Sequence, residues 1–284
     1  MPRIAAALMF FVASSFACAQ QLDATLKKIR DSKTITIAHR TDALPFSFTG
    51  DGNQPAGYTV ELCKRIVSSI EQQLKVSPLA VKWVAATSQN RLELVQKRQV
   101  DMECGSTTAT LSRMELVDFS SPVFVDTTGL LVRKAAGATS LSGMAGKKIA
   151  VVAGTTNHKA LETALKKKLV SATVVTVKNR EEGVAQLEKG TVDAFAGDKI
   201  LLLGLAGKVK DTAAYTLFDD NLGFEPYAIA LPRGDSGMRL AVNRALAQIY
   251  GSGAIVEIFR GTFGANIDPS PALVVMYELA TYPE

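Results

Sequence analysis

Three arginines stand where an expected strand gives way to a loop: Arg40, Arg91 and Arg113. A guanidinium group presents a planar fork of N–H donors that matches a carboxylate in a bidentate manner. Loop-end arginines also form surface ion pairs of little energetic value, and any one of the three alone fits that explanation. Because all three occupy equivalent positions after strands, we interpret them as candidate residues for binding an anionic ligand.

Small polar residues extend this candidate site. Those beside the arginines offer hydroxyl donors: Ser88, Ser106 and Thr108. Thr156 lies at the start of an expected helix, whose first N–H groups favour an anion. Asp198 follows another expected strand and suits an ammonium group, although Thr156 and Asp198 also fit the simpler role of helix N-caps. Together these residues predict a pocket for a ligand with more than one negative group and one positive group.

The composition excludes several other kinds of chemistry. The chain of 284 residues contains two histidines and three cysteines, too few for the common zinc sites. It contains no glycine-rich nucleotide-binding motif and no zinc-protease or serine-hydrolase signature. Its net charge of +5 is spread along the chain, so a nucleic-acid partner is not expected. We expect no metal ion and no cofactor.

The elements that position these residues alternate between helix and strand along the whole chain. Helices are predicted over 22–29, 60–74, 91–97, 111–116, 156–168, 182–188, 200–206, 236–250 and 255–259, and strands over 34–38, 79–84, 100–104, 148–153, 172–177, 193–196 and 227–231. The pattern starts again after residue 122, which predicts two α/β lobes rather than one large sheet. The residues after about 219 are expected to return to the first lobe. Ligands bind in the cleft between such lobes.

The first residues have the pattern of a cleaved secretory signal. Arg3 precedes an apolar run over 4–12, and small residues follow up to Ala19. We predict a signal peptide over residues 1–19 and export of the remaining chain.

Export places Cys63 and Cys104 in an oxidising compartment, where a disulfide between them could form. Both residues also fit free cysteines in an apolar core. Cys63 shares a helical face with Ile66, and Cys104 ends an apolar strand. The sequence leaves the two alternatives open.

Short motifs spread over nearly the whole mature chain match those of a known family. The motifs are Ile37-Ala38-His39-Arg40, Pro45-Phe46-Ser47-Phe48, Gly57-Tyr58, Thr87-Ser88-Gln89-Asn90-Arg91, Cys104-Gly105-Ser106-Thr107-Thr108, Arg113, Asp118-Phe119-Ser120-Ser121-Pro122, Gly154-Thr155-Thr156, Asp198 and Glu225-Pro226-Tyr227. They resemble the periplasmic solute-binding proteins of amino-acid ABC importers, and two of them resemble the glutamate/aspartate-binding branch in particular. The resemblance implies a two-lobe, type II periplasmic-binding-protein fold of the α/β class, with the lobes joined by two hinge strands. We assign residues 20–124 and 220–284 to lobe 1 and residues 125–219 to lobe 2.

The resemblance also implies which residues contact each charged group of an amino-acid ligand. The α-carboxylate is contacted by Arg113, Thr108 and Thr156, and the α-ammonium group by Ser106 and Asp198. The side-chain carboxylate is contacted by Arg40, Ser88 and Arg91. The chain departs from this branch at one position. Where the branch has a histidine reaching the side-chain carboxylate, this sequence has Arg180, followed by Glu181 and Glu182. Arg180 keeps the positive charge and either reaches the ligand or is drawn outward by the two glutamates.

The implied function is that of a periplasmic monomer that captures glutamate or aspartate and delivers it to the membrane permease of an ABC importer. Arg113 and Asp198 would balance the amino-acid zwitterion, and Arg40 and Arg91 would remain for the distal carboxylate. A neutral amino acid would leave those two arginines without a counter-charge, which costs several kcal/mol. The arginine count therefore predicts discrimination against neutral amino acids on the order of 10²–10⁴-fold.

Two other functions use the same scaffold. A dehydratase acting on prephenate or arogenate needs a general acid in the cleft, for which Asp198 and Glu225 are the candidates. Asp198 is better explained as the ammonium partner and Glu225 as a structural carboxylate between the lobes. A binding protein for another polar amino acid would use the same loop-end residues for a different side chain.

Overall fold

The computed structural model describes residues 24–207 and 209–283, so the predicted signal peptide lies outside the described residues. The described residues form ten α-helices and twelve β-strands. The helices are α1 (Ala24–Ser32), α2 (Tyr58–Leu74), α3 (Arg91–Gln96), α4 (Leu111–Met114), α5 (Thr156–Lys167), α6 (Arg180–Lys189), α7 (Lys199–Ala206), α8 (Ser236–Gly251), α9 (Ala254–Phe263) and α10 (Pro271–Leu279). The strands are β1 (Thr34–Arg40), β2 (Asp42–Ala43), β3 (Ser47–Thr49), β4 (Pro55–Ala56), β5 (Ala80–Ala86), β6 (Met102–Cys104), β7 (Val117–Arg133), β8 (Lys148–Val152), β9 (Thr173–Val177), β10 (Ala194–Asp198), β11 (Tyr215–Leu217) and β12 (Gly223–Pro232).

The main sheet has two groups of parallel strands on either side of an antiparallel pair. Its strand order is β5-β1-β6-β12-β7-β10-β8-β9, with β11 paired to β7 and with β2, β3 and β4 in a separate small sheet. Strand β1 is parallel to β5 and β6, and β8 is parallel to β9 and β10, whereas β7 and β12 run antiparallel to each other. The two groups are not separate sheets, as the sequence pattern alone suggested, because β7 and β12 join them into a continuous hydrogen-bonded path. This strand pair agrees with the two lobes joined by two strands that the resemblance implied.

Strand β7 is the longest in the sheet and was not predicted from the sequence. It runs through Pro122, which has no backbone N–H to donate and normally ends a strand. The register of β7 with β12 shifts next to this proline, on both sides of Ala228. These irregularities let the strand continue past Pro122, because a bulge takes one residue out of the regular pairing.

Apolar side chains pack into cores on both flanks of the β7–β12 pair. One core gathers the inner faces of α2, α8 and α9, with Ile66, Leu246 and Phe259 among its buried members. Another core lies between α5 and the paired strands β8 and β10, and it includes Leu161 and Ile149. Burying these faces provides the main driving force for folding, at about 25 cal/mol per Å² of apolar surface. The division of the chain at residues 124/125 and 219/220 stays a prediction.

Cys63 and Cys104 form a disulfide, which decides between the two alternatives that the sequence left open. Cys63 lies on the buried face of α2, and Cys104 is the last residue of β6. The bond therefore ties a core helix to the end of the strand that leads into Gly105 and Ser106. No helix in residues 24–207 or 209–283 has the length and apolar character needed to cross a membrane.

Candidate ligand-binding site

The candidate residues lie at the carboxyl ends of both groups of parallel strands. Arg40 is the last residue of β1, Ser88 follows β5, and Ser106 and Thr108 follow β6. On the other side of the β7–β12 pair, Thr156 follows β8, Arg180 follows β9, and Asp198 is the last residue of β10. Because parallel strands end at the same edge of a sheet, each group brings its residues together there.

Arg40 is a fully buried arginine, and some of its N–H donors have no hydrogen-bond partner among the described residues. Its Nη2 donates to Ser88 Oγ at 2.9 Å and to Asp42 Oδ1 at 2.5 Å. Its Nε and Nη1 atoms are buried and have no hydrogen-bond partner among the described residues. Burial, together with repulsion from Arg180 and Arg91, lowers the pKa of Arg40 to about 9. Unmet donors on a buried cation are costly, so this group is set up to receive an anion.

Arg91 is likewise a buried arginine with an N–H donor that has no partner among the described residues. It is the first residue of α3 and is buried, and its Nη1 donates to the carbonyl oxygen of Ser106 at 3.2 Å. Its Nε atom and the Ser106 hydroxyl are both buried without a partner in the described part of the chain. Desolvation lowers the pKa of Arg91 to about 10, and the nearby Arg113 adds to the effect.

Gly105 allows the loop after β6 to pass close over Arg40. A Cβ atom at this position would lie 2.9 Å from Arg40 Cγ and 2.2 Å from Glu103 Oε1. Any side chain here would therefore displace the buried arginine or the buried glutamate.

Arg113 lies on α4, the short helix after β6, and is half-buried. Its Nη1 donates to the carbonyl oxygen of Thr108 at 2.8 Å, which fixes the guanidinium beside the loop. Desolvation lowers its pKa, whereas Glu225, Glu103 and Asp198 act in the opposite direction. Among the described residues, no carboxylate lies within 4.0 Å of its guanidinium, so its charge is available for an anion.

Glu225 on β12 joins the two sides of the site. Its Oε2 accepts hydrogen bonds from the hydroxyls of Thr108 and Thr156, both at 2.6 Å, and its Oε1 accepts one from Thr128, also at 2.6 Å. Asn157 donates to the same Oε1 at 3.4 Å. Burial and the nearby Asp198 raise the pKa of Glu225, despite the three hydroxyl donors. Sequence reasoning named Glu225 as an alternative acid and, by preference, as a structural carboxylate between the lobes, and it did not identify Thr128 or Asn157.

Thr156 and Asp198 are placed at helix starts, but neither side chain caps its helix. Thr155, not Thr156, caps α5 by accepting from the backbone N–H of His158. Asp198 occupies the N-cap position of α7 without a side-chain capping bond. Its Oδ1 accepts from Asn157 Nδ2 at 3.1 Å instead. Both side chains are thus free of the capping role that the sequence had left open.

Arg180 is buried in the site and is not drawn outward by its neighbours. Helix α6 begins two residues earlier than predicted, with Arg180 as its first residue, and Glu182 instead accepts from the backbone N–H of Lys178 at 2.8 Å. The Arg180 guanidinium lies 3.6 Å from Asp198 Oδ2 through Nη2 and 3.4 Å from Asp42 Oδ2 through Nη1. Asp42 was missed from the sequence, although its position two residues after Arg40 could have pointed to it.

A second buried carboxylate lies on the strand pair itself. Asp126 on β7 stands opposite Glu225 in the register of β12. Its Oδ1 accepts from its neighbour Thr127, and its Oδ2 accepts from the backbone N–H of Ile200 at 3.0 Å. Burial and then Asp198 raise the pKa of Asp126 to about 7.

We expect Asp126 to make the protein less stable as the pH rises from about 4 to about 7. The folded pKa is about 7 and the ordinary value is 3.8, so within this window the folded state holds a proton that the unfolded state has lost. The free energy of unfolding should therefore fall with rising pH, and Asp126→Asn should flatten that slope. Urea unfolding between pH 4 and pH 8 measures it, with exposed Asp31→Asn as the control. Equal slopes for Asp126→Asn and the unmodified protein would contradict this assignment.

No cluster of three or more His, Cys, Asp or Glu side chains in residues 24–207 and 209–283 is arranged to hold a metal ion. The charged groups of the site are instead four arginines and their carboxylate neighbours. Such a set can bind a small zwitterion with an extra negative group, through hydrogen bonds to guanidinium groups and hydroxyls.

Comparison with known proteins identifies the class to which this architecture belongs. The chain is a member of the bacterial extracellular solute-binding proteins, family 3, whose family model matches residues 35–265. It therefore has the two-lobe, type II periplasmic-binding-protein fold that the sequence resemblance implied.

Three relatives illustrate the similarity. The chain is 33% identical over 267 residues to the L-glutamate/L-aspartate-binding protein of Pseudomonas aeruginosa, covering 94% of this chain and 88% of that protein. It is 29% identical over 266 residues to the glutamate/aspartate import solute-binding protein of Escherichia coli K12, with coverage of 94% and 88%. The solved structure of an ancestral amino-acid-binding protein, a precursor of cyclohexadienyl dehydratase, matches with a TM-score of 0.72 and 27% identity, covering 84% of this chain and 100% of that one.

Proposed function

We propose that this chain is a periplasmic solute-binding protein that captures an acidic L-amino acid, glutamate or aspartate, between its lobes. It acts as a monomer and delivers the ligand to the membrane permease of an ABC importer. The observation that carries the proposal is the set of buried donors without partners at the distal end of the site, Arg40 Nε, Arg40 Nη1 and Arg91 Nε, with the unpartnered Ser106 hydroxyl beside Arg91. The names of the two glutamate/aspartate-binding relatives support the same ligand class.

The proposed binding mode assigns each charge of the ligand to a partner. Arg113 binds the α-carboxylate, with a backbone N–H from Thr156, which begins α5 and so has an unused donor in the first turn. The hydroxyls of Thr108 and Thr156 donate to Glu225 and serve to hold the two sides of the site together. Asp198 binds the α-ammonium.

The distal carboxylate is bound at the other end of the site. Arg40 and Arg91 supply its N–H donors, since both guanidinium groups have buried atoms without partners. Ser88 orients Arg40 through their 2.9 Å hydrogen bond. Arg180 closes this end from the opposite side, through its contact with Asp42.

We expect glutamate or aspartate to stabilise the purified protein against heat. A ligand at 100 times its dissociation constant adds about 2.7 kcal/mol to the free energy of unfolding, which corresponds to a rise in Tm of roughly 5 °C or more for a chain of this size. The measurement is a thermal-shift panel over the common amino acids and dicarboxylates, on protein stripped of bound ligand by unfolding and dialysis. Lysine serves as the control, because its cationic side chain would face buried arginines. The absence of a shift with both glutamate and aspartate would overturn the proposal.

A dehydratase is the second candidate, because Glu225 is a buried carboxyl with a raised pKa near the arginines. We infer a binding role instead, since both Glu225 oxygens already accept hydrogen bonds from threonine hydroxyls. The precursor named among the relatives is itself described as an amino-acid-binding protein. Incubation with prephenate separates the two, and enzymatic loss of prephenate would favour the dehydratase.

A further inference from the structure

Asp42 is a carboxylate of the protein placed where the distal end of an acidic ligand is proposed to bind. It forms the start of β2, two residues after Arg40, and its side chain is 13% exposed. Its Oδ1 accepts from Arg40 Nη2 at 2.5 Å, and its Oδ2 lies 3.4 Å from Arg180 Nη1. Burial opposes its ionisation, but Arg180 and Arg40 together lower the pKa of Asp42. It is therefore an ionised carboxylate between two buried cations.

The two cations come from opposite sides of the β7–β12 pair. Arg40 ends β1, whereas Arg180 begins α6, which packs against β8 and β10. Arg180 also lies 3.6 Å from Asp198, so positive and negative groups alternate in the order Arg40, Asp42, Arg180, Asp198. We call these four residues the charge chain. Within it, Arg40 and Arg180 each have a carboxylate partner before any ligand arrives.

The charge chain changes the argument against neutral ligands. The high discrimination expected from the sequence assumes that a ligand without a distal charge leaves buried arginines uncompensated. Asp42 already compensates the charges of Arg40 and Arg180, so a ligand without a distal charge does not leave them unpaired. Among the described residues, Arg91 is then the distal cation without an ion pair within 4.0 Å. Asp42 also lies close to the place of the ligand's own carboxylate, and like charges repel at that range.

The geometry points to Asp42 as a specificity-determining residue that supplies part of the distal negative charge itself. This inference rests on the proposed function and deepens it. The cleft also binds glutamine or asparagine, the side-chain amide of its preferred acid. The dissociation constant of the amide is less than about 100 times that of the acid. The amide loses the charge interaction with Arg91 but does not leave Arg40 or Arg180 without a counter-charge.

The test compares the affinities of the preferred acid and its amide by isothermal titration. We expect the dissociation constant of the amide to be less than about 100 times that of the acid in the unmodified protein. This ratio should rise at least tenfold in Asp42→Asn, which keeps the shape of the side chain and removes its charge. Asp42→Ser is the second neutral variant, should the first fold poorly. Asp42→Glu, which keeps the charge, is expected to raise the ratio less than Asp42→Asn does. Asp31→Asn, which removes an exposed aspartate outside the charge chain, is the control and is expected to leave the ratio within threefold.

Two results would overturn the inference. One is a ratio above about 100 in the unmodified protein, and the other is a rise of less than tenfold in the neutral variants while the acid still binds. Either result leaves the proposed function intact, because it concerns only how the acid is distinguished from its amide. If the unmodified protein binds neither acid, both the proposed function and the role of Asp42 are wrong.

Discussion

Replacing Arg113 with methionine is expected to weaken the binding of every α-amino acid by about 10²–10³-fold. The α-carboxylate is common to all of them, and Arg113 is the one site arginine that this binding mode places against it. Removing one partner of a desolvated charge pair costs about 2–5 kcal/mol, and 1.4 kcal/mol corresponds to a tenfold change in affinity. Methionine retains much of the apolar stem, so the loss reports the charge rather than the packing.

Titration calorimetry with glutamate and with its amide measures this effect. The two ligands should lose affinity by similar factors in Arg113→Met, because the change affects the group they share. Arg244→Met, at an exposed position on α8, is the matched control and should bind normally. Affinity within threefold of the unmodified protein would remove Arg113 from the site.

The largest expected effect on stability comes from the disulfide. Cys63 and Cys104 are separated by 41 residues, and closing a loop of that length contributes about 4 kcal/mol by restricting the unfolded chain. We therefore expect Cys63→Ala with Cys104→Ala to lower the free energy of unfolding by about 2–5 kcal/mol. Denaturant unfolding under non-reducing conditions measures the loss.

The unmodified protein treated with a reductant provides the control for this prediction. Once its disulfide is reduced, it should approach the stability of the double alanine variant. A loss in the free energy of unfolding below about 1 kcal/mol would show that the bond does little to restrict the unfolded chain. Because Cys104 ends β6 next to Gly105 and Ser106, ligand affinity in the double variant also shows whether the bond holds the site in place.

The regular elements were predictable because their apolar patterns are local. Most predicted helices and strands lie within two or three residues of the observed ones, and the arginines after β1 and β6 follow from where those strands end. Strand β7 was not predictable in this way. Its sequence contains Ser120, Ser121 and Pro122, which locally favour a loop, and only pairing with β12 keeps it extended.

The site was predictable as a set of residue types and not as a network. Asp42 lies on a two-residue strand, too short to produce a pattern, and its importance depends on Arg180, which is 138 residues away in the chain. The disulfide could not be decided either, because sequence spacing does not give the distance between two side chains. The apolar run over 200–206 does not show which face of its helix meets solvent: Leu201 and Leu202 of α7 are buried, whereas Leu203 is 51% exposed.

The pairing of Thr128 with Gly223 places the two ends of the intervening segment side by side on adjacent strands. Residues 129–222 thus leave the β7–β12 pair and return to it at one point, in the manner of an insert carried between neighbouring positions of a host. A segment attached in this way can diverge without altering the path of the remaining chain. Arg180, Thr156 and Asp198 all belong to the insert, whereas Arg40, Arg91 and Arg113 belong to the host. Substitutions within the insert can therefore change one side of the proposed binding site while the other side keeps its arginines.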